Sequence, residues 1–267
     1  MLALTFPMID PIAVQIGPVS IRWYSLAYVT GILLGWRYVL YLAKRPPQSL
    51  GKRDIDDFII WATLGVILGG RLGYVLFYRP EFYLENPLNI LVLWQGGMSS
   101  HGGMLGMVVA TAIFARRRNT HWLAVGDLIV CAVPIGLFFG RIANFINGEL
   151  FGRVSDVSWA MAFPHGGPLP RHPSQLYEAA LEGLVLFIIL AWMAQGTRAL
   201  ERRGILSGVF FTGYGVARII VETFREPDAH LGFFAIGATM GQLLSLPVLL
   251  GGLWLLHYAR RDSTTSP

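Results

Sequence analysis

Apolar runs of about twenty residues, each near the length needed to cross a bilayer's hydrocarbon core, recur along this 267-residue chain and leave few folds open. Seven are expected as spans: Ile21–Leu42, Phe58–Phe77, Gly97–Ala115, Trp122–Phe145, Gln175–Ala194, Ile205–Phe224 and Phe234–Leu256. The third is short and begins in glycines, and the run Pro87–Trp94 ahead of it reads as a half-buried interfacial segment. Only 14% of the residues are charged and mean hydropathy is +0.53. A soluble domain carries about 25% charged residues, so this chain cannot cover a water-facing surface with ions. Strand alternation is absent, which argues against a barrel. The expected fold is all-α: a polytopic membrane helix bundle of about seven transmembrane helices. It forms one integral-membrane domain over residues 1–261, with a polar, disordered tail over 262–267.

The net charge of +5 is distributed in short clusters between apolar runs, the positive-inside pattern rather than a nucleic-acid surface. One set of connections holds Lys44, Arg45, Lys52, Arg53, Arg116, Arg117, Arg118, Arg198, Arg202, Arg203, Arg260 and Arg261; the other holds only Arg79, Arg153, Arg171 and Arg225. The richer side is expected to be cytoplasmic. The N-terminus and the Gly148–Pro173 connection then face out and the C-terminus faces in. The first cation is Arg22, so no basic n-region precedes the first apolar run and no cleavable signal is expected. A single cysteine, Cys131, excludes an internal disulfide and a multi-cysteine metal site, and its mid-span position reads as a small core residue. His101 and His172 are too few and too far apart to make a metal site, so no metal and no cofactor are expected. Walker, dinucleotide-binding and serine-elbow templates are all missing.

Five cations remain outside the connections. Arg22 and Arg37 lie at span edges, where their heads can snorkel to water. Arg71, Arg141 and Arg218 lie deeper, where charge costs several kcal/mol unless it is paired or used. Arg71 sits in Gly69-Gly70-Arg71-Leu72-Gly73, where missing side chains let another helix or a ligand approach. Arg141 opens Gly140-Arg141-Ile142-Ala143-Asn144-Phe145-Ile146-Asn147-Gly148-Glu149-Leu150-Phe151-Gly152-Arg153, which gathers cations, carboxamides and a carboxylate at the outer end of the fourth span. Tyr214, Arg218 and Glu222 share one helical face; the pair either neutralises itself or holds Arg218 toward an anion. Gln175, Glu178 and Glu182 form a similar stripe, whose carboxylates read as partners for inward arginines of neighbouring helices.

His101 lies between glycines near the outer face and is a candidate general base. His172 precedes Pro173 and Ser174, which look like helix-start chemistry. The outer half of the bundle thus gathers Arg141, Arg218, Asn144, Glu149 and His101. Two planar guanidiniums suit one phosphate, and a phosphate at that depth most naturally belongs to a phospholipid. Intramembrane arginines and carboxylates also build transporters, so a carrier of a small anion is the alternative, although the expected internal repeat is not visible.

The Gly140–Gly152 run resembles the signature of bacterial prolipoprotein diacylglyceryl transferases. So do Trp94–Gly103, His172–Glu178, Tyr214–Glu222 and the early Arg22-Trp23-Tyr24, in the family's order over most of the chain. The resemblance implies transfer of a diacylglyceryl group from phosphatidylglycerol to the lipobox cysteine thiol of a prolipoprotein. A thioether forms and glycerol phosphate leaves, in the first step of lipoprotein maturation. It implies a bacterial cytoplasmic (inner) membrane location, multi-pass, with the site toward the outer face. The partners it implies are phosphatidylglycerol, the prolipoprotein signal peptide and membrane lipid. The roles expected from it place Arg141 and Arg218 on the lipid phosphate, with Arg218 also a catalytic group and Glu222 orienting it. Asn144, Asn147 and Glu149 hold the glycerol head group or fix Arg141. His101 is the candidate base, with Glu149 as the other possibility, and Tyr24 and Tyr214 lie near the head group.

Overall fold

Helices dominate, and their ends are set by glycine, proline and charge. The computed structural model describes residues 4–93, 96–226, 234 and 237–262, apart from the side chains of Ser100, His101 and Asp262. In chain order the elements are β1 (Leu4–Thr5), β2 (Ile12–Ile16), β3 (Val19–Arg22), α1 (Trp23–Leu42), α2 (Lys52–Phe77), α3 (Pro80–Glu85), α4 (Ser100–Arg117), α5 (Trp122–Val130), α6 (Val133–Ile146), β4 (Met161–Ala162), α7 (Ser174–Glu178), α8 (Leu186–Gly196), α9 (Ile205–Glu222) and α10 (Met240–Asp262). A π-helical turn, Ala179–Val185, joins α7 to α8. Among the described residues, six helical stretches are long and apolar enough to cross a membrane: Trp23–Leu42, Lys52–Phe77, Trp122–Ile146, Ser174–Gly196, Ile205–Glu222 and Met240–Arg261. The expected span Gly97–Ala115 corresponds to the 18-residue α4, which is not one of the six. The expected interfacial run Pro87–Trp94 contains a 3-10 turn over Pro87–Leu91; of the expected tail 262–267, Asp262 ends α10, and residues 263–267, like Trp94, lie outside the described residues. β1 pairs parallel with β4, and β2 antiparallel with β3, so the fold is mostly rather than purely helical.

The chain divides into two compact units: Met1–Leu42 with Asp127–Pro267, and Ala43–Gly126. In the smaller one, α2 lies against α4 through glycine. A Cβ on Gly69 would overlap the Gly102 carbonyl, and one on Gly106 the Gly65 carbonyl. Small residues at four-residue spacing let two backbones meet, so the glycines beside Arg71 admit a helix. Gly102, next to His101, faces α2 backbone for the same reason. Arg71 is 4% exposed, and its guanidinium donates to the backbone carbonyls of Asn89 (2.6 Å), Ile90 (2.8 Å), Val92 (3.1 Å), Gly96 (2.5 Å) and Gly97 (3.0 Å). All five of its N–H groups can be used in this way. Arg71 therefore serves as a peg for the backbone of residues 89–92 and of Gly96 and Gly97. On the same unit Arg118 pairs with Asp54 and Asp57.

In the larger unit α1 packs on α6, with Gly31 against Gly136. Gly183, in the π turn, meets the backbone of Phe138 on α6. α9 packs on α10 through Gly208, Gly215 and Gly252. The helical run from Trp122 breaks at Cys131-Ala132 because Pro134 lacks an N–H to continue it. Asp127, 1% exposed on α5, accepts from Gly204 N (2.6 Å), Ser207 N (2.7 Å) and Ser207 Oγ (2.7 Å). A carboxylate from another helix thereby supplies the N-terminal cap that α9 lacks locally.

Candidate functional site

At one end of the larger unit, the C-terminal ends of α6 and α9 meet the start of α7. α6 stops in a Schellman turn. Gly148 takes φ +65° and donates to Phe145 O at 2.9 Å, and Glu149 N donates to Asn144 O at 3.1 Å. The left-handed position favours glycine, which explains the Asn147-Gly148-Glu149 sequence. The turn folds Glu149 back over the helix end. Its Oε1 accepts from Asn144 Nδ2 (2.8 Å) and Asn147 Nδ2 (3.2 Å). Gln175 Nε2 donates to Glu149 O (2.6 Å) and Ser174 Oγ to Leu150 O (3.0 Å), tying the start of α7 to this turn. Ser174 begins its helix as expected, but its hydroxyl serves the neighbouring loop instead of capping its own N–H groups.

Arg141 and Arg218, from different helices, converge on the carboxylate of Glu178. Arg141 Nε lies 3.0 Å from Glu178 Oε2, and Arg218 Nη1 donates to Glu178 Oε1. Arg225 Nη1 donates to that same Oε1 at 3.2 Å. Glu182 stands one turn further, 3.6 Å from Arg141 Nη2 and 3.7 Å from Arg218 Nη1. Glu222 completes the group, with Oε2 2.8 Å from Arg218 Nη2 and Oε1 accepting from Thr239 Oγ1 at 3.0 Å. Glu178 and Glu182 are 0% exposed, while the Arg141 and Arg218 side chains keep 17% and 13%. Buried carboxylates behind and partly exposed guanidiniums in front make a cationic face on a neutralised base.

The surrounding loop is sewn in by backbone. Gly152 N donates to His172 O (2.8 Å), and Arg153 N to Phe224 O (2.8 Å). A Cβ on Gly152 would strike Phe224 O and His172, so only glycine fits there. Arg153 donates through Nε to Arg225 O (2.9 Å) and through Nη2 to Glu222 O (3.1 Å), holding the end of α9. His172 Nδ1 lies 3.1 Å from Tyr177 Oη, which accepts from Trp159 Nε1 at 2.6 Å. The phenol thus bridges the indole and the imidazole. Partial burial holds the His172 pKa below its ordinary value.

Of the residues singled out in the sequence, Arg141, Arg218 and Glu222 share one ion cluster, and Asn144, Asn147 and Glu149 form a second group joined to it through α6 and α7. Tyr214 lies within electrostatic reach of Arg141, Arg218, Glu178 and Glu182. Tyr24 Oη lies 3.4 Å from Tyr28 Oη, within electrostatic reach of Glu149 and Arg141. His101 belongs to the other unit, and its side chain lies outside the described ones. Glu178 and Glu182 partner inward arginines of neighbouring helices, as their stripe implied, though they were not counted among the site residues, and Arg225 was missed. Arg218, Glu222 and Arg225 fall at i, i+4 and i+7, a spacing that would have found the last. Among the described residues no His, Cys, Asp and Glu cluster could hold a metal ion.

Residues 11–258 match the family model described as prolipoprotein diacylglyceryl transferase. A phosphatidylglycerol–prolipoprotein diacylglyceryl transferase of Paramagnetospirillum magneticum is 65% identical over 97% of this chain and 97% of its own length. The proteins of that name from Rhodospirillum rubrum and Azospirillum brasilense are 58% and 59% identical, over 97% and 98% of this chain and 95% and 98% of their own lengths.

Proposed function

The chain belongs to the prolipoprotein diacylglyceryl transferase family, and from that premise we propose that it transfers diacylglyceryl from phosphatidylglycerol to the lipobox cysteine of a prolipoprotein. The observation that carries the reading is the convergence of Arg141 and Arg218 on one anionic group. The reaction is a displacement at carbon. A thiolate attacks, the carbon–oxygen bond to phosphate breaks, and its electron pair leaves on the phosphate oxygen. Thiolate is the reactive form of the nucleophile. The departing phosphate gains a second negative charge, which fixed guanidiniums in a water-poor site stabilise as it appears.

Arg141 and Arg218 bind the lipid phosphate in this account, and Arg218 follows the charge onto the leaving group. Glu222 orients Arg218 through the 2.8 Å contact. Asn144, Asn147 and Glu149 present a ready hydrogen-bonding group to the glycerol hydroxyls. Tyr24 and Tyr214 line the head-group side, and His101 accepts the thiol proton. α4 makes the seventh crossing of a bacterial inner membrane. The positive-inside rule then places the N-terminus and this end of α6 and α9 on the outer face. Lipid and signal helix enter sideways between helices, with the Gly148–Pro173 connection as lid. The family membership favours this reading over an anion transporter.

The test is diacylglyceryl transfer to a lipobox peptide, followed by product mass, in folded Arg141→Ala and Arg218→Ala proteins. Both are expected to lose transfer. Near-normal turnover in both would remove the phosphate clamp.

A further inference from the structure

Glu178, Glu182 and Glu222 face Arg141, Arg218 and Arg225, so the formal charges of these six groups cancel before any lipid arrives. A phosphodiester entering the Arg141–Arg218 face adds one negative charge beside three carboxylates. In a water-poor interior, excess like charge is relieved by neutralising whichever carboxylate is held least firmly.

The three carboxylates are not held equally. Glu178 accepts hydrogen bonds from Arg218 and Arg225 and faces Arg141 Nε at 3.0 Å. Glu222 accepts from Thr239 and touches Arg218 at 2.8 Å. It also lies against Gly241 in the first turn of α10, whose N-terminal N–H groups favour an anion. Glu182 has neither kind of support. It is fully buried, neither oxygen hydrogen-bonds a described donor, and its closest cations stand 3.6 and 3.7 Å away. The groups that act on it electrostatically are Arg141 from α6, Arg218, Tyr214 and Arg225 from α9 and its end, and Glu178 from its own stretch.

We propose that Glu182 is the charge-compensating residue of the phosphate site, taking up one proton from solution as the lipid phosphate binds between Arg141 and Arg218. The proposal rests on the phosphate clamp of the preceding reading. The two guanidiniums, released from Glu182, then turn their N–H groups to the phosphate, while Glu178 and Glu222 stay ionised and keep them in place. Linkage requires that lipid affinity fall about tenfold per pH unit over the range where free Glu182 is ionised.

The experiment uses the whole protein in phosphatidylcholine nanodiscs. Short-chain phosphatidylglycerol is titrated by calorimetry in buffers of different ionisation enthalpy at one mildly alkaline pH. The wild type is expected to take up about one proton per lipid bound, and Glu182→Gln, a mimic of the protonated acid, to bind without uptake and with pH-independent affinity. Wild-type binding with no proton uptake overturns the inference and leaves the clamp standing. Uptake that persists unchanged in Glu182→Gln overturns it as well, by assigning the proton elsewhere. A wild type that binds no lipid overturns the clamp and the inference together. If the Gln variant does not fold, difference infrared spectroscopy of the wild type takes its place: a protonated-carboxyl band must appear on lipid addition and shift in Glu182→Asp, and its absence refutes the proposal.

Discussion

Replacing Glu178 by Gln is the most direct way to ask what holds the two arginines. The shape is kept and one negative charge is removed. In the native site Oε1 accepts from Arg218 and Arg225, and Oε2 faces Arg141 Nε at 3.0 Å. The amide keeps a neutral oxygen acceptor at the first position. At the second it sets an NH2 group against the Arg141 N–H, donor against donor. Removing one partner of a buried ion pair costs about 3–5 kcal/mol, because a charge is left uncompensated. The retained acceptor puts Gln near the lower figure, about 3 kcal/mol, and Glu178→Ala near the upper. If about 3 kcal/mol is lost from placing the guanidiniums in the transition state, transfer slows roughly 100-fold. Stability is read by detergent-denaturant titration in mixed micelles, and activity by thioether formation on a lipobox peptide in the still-folded fraction. A Gln variant within about 1 kcal/mol of wild type and within a few-fold in rate would show that packing rather than the carboxylate positions Arg141 and Arg218.

Three further outcomes are expected. Asp127→Ala strips three donors at the start of α9 of their acceptor and should cost about 2–3 kcal/mol in the same titration, with the rate per folded molecule unchanged. Gly148→Ala forces a side chain to φ +65° with Pro164 Cδ 3.3 Å from the new methyl; about 1–2 kcal/mol should be lost, together with activity, as Glu149 leaves Asn144. Partial burial makes His172 bind its proton less readily folded than unfolded. Stability should therefore fall as pH drops below about 6.5 and level off below the lower folded value, and His172→Asn should flatten that slope in an acid titration of melting temperature.

The helices were legible because burying an apolar run in lipid leaves the backbone no other way to satisfy itself. Ends were less so. α2 begins six residues earlier than the run Phe58–Phe77, because Asp54 and Asp57 belong to its first turns and find Arg118. α10 starts at Met240 rather than Phe234, behind a cap in which Thr239 and Gln242 exchange hydrogen bonds. The polar stripes on α7 and α9 were visible from spacing, but not that both would close on one carboxylate. Arg218 and Glu178 are 40 residues apart, a separation helical periodicity does not report. Asp127 escaped notice for the same reason: its partners lie 77 and 80 residues on.

α9 is moored at both ends, by Asp127 at its first turn and by the Arg153 side chain at its last carbonyls. A rod of 18 residues, about 27 Å long, fixed in this way cannot pump along its own axis. Arg218 therefore keeps a constant elevation, like a mark on a gauge. On the proposed phosphate clamp, a phospholipid docked there would be measured from the head group downward, and chains of unequal length would differ only where their methyl ends trail off toward the midplane.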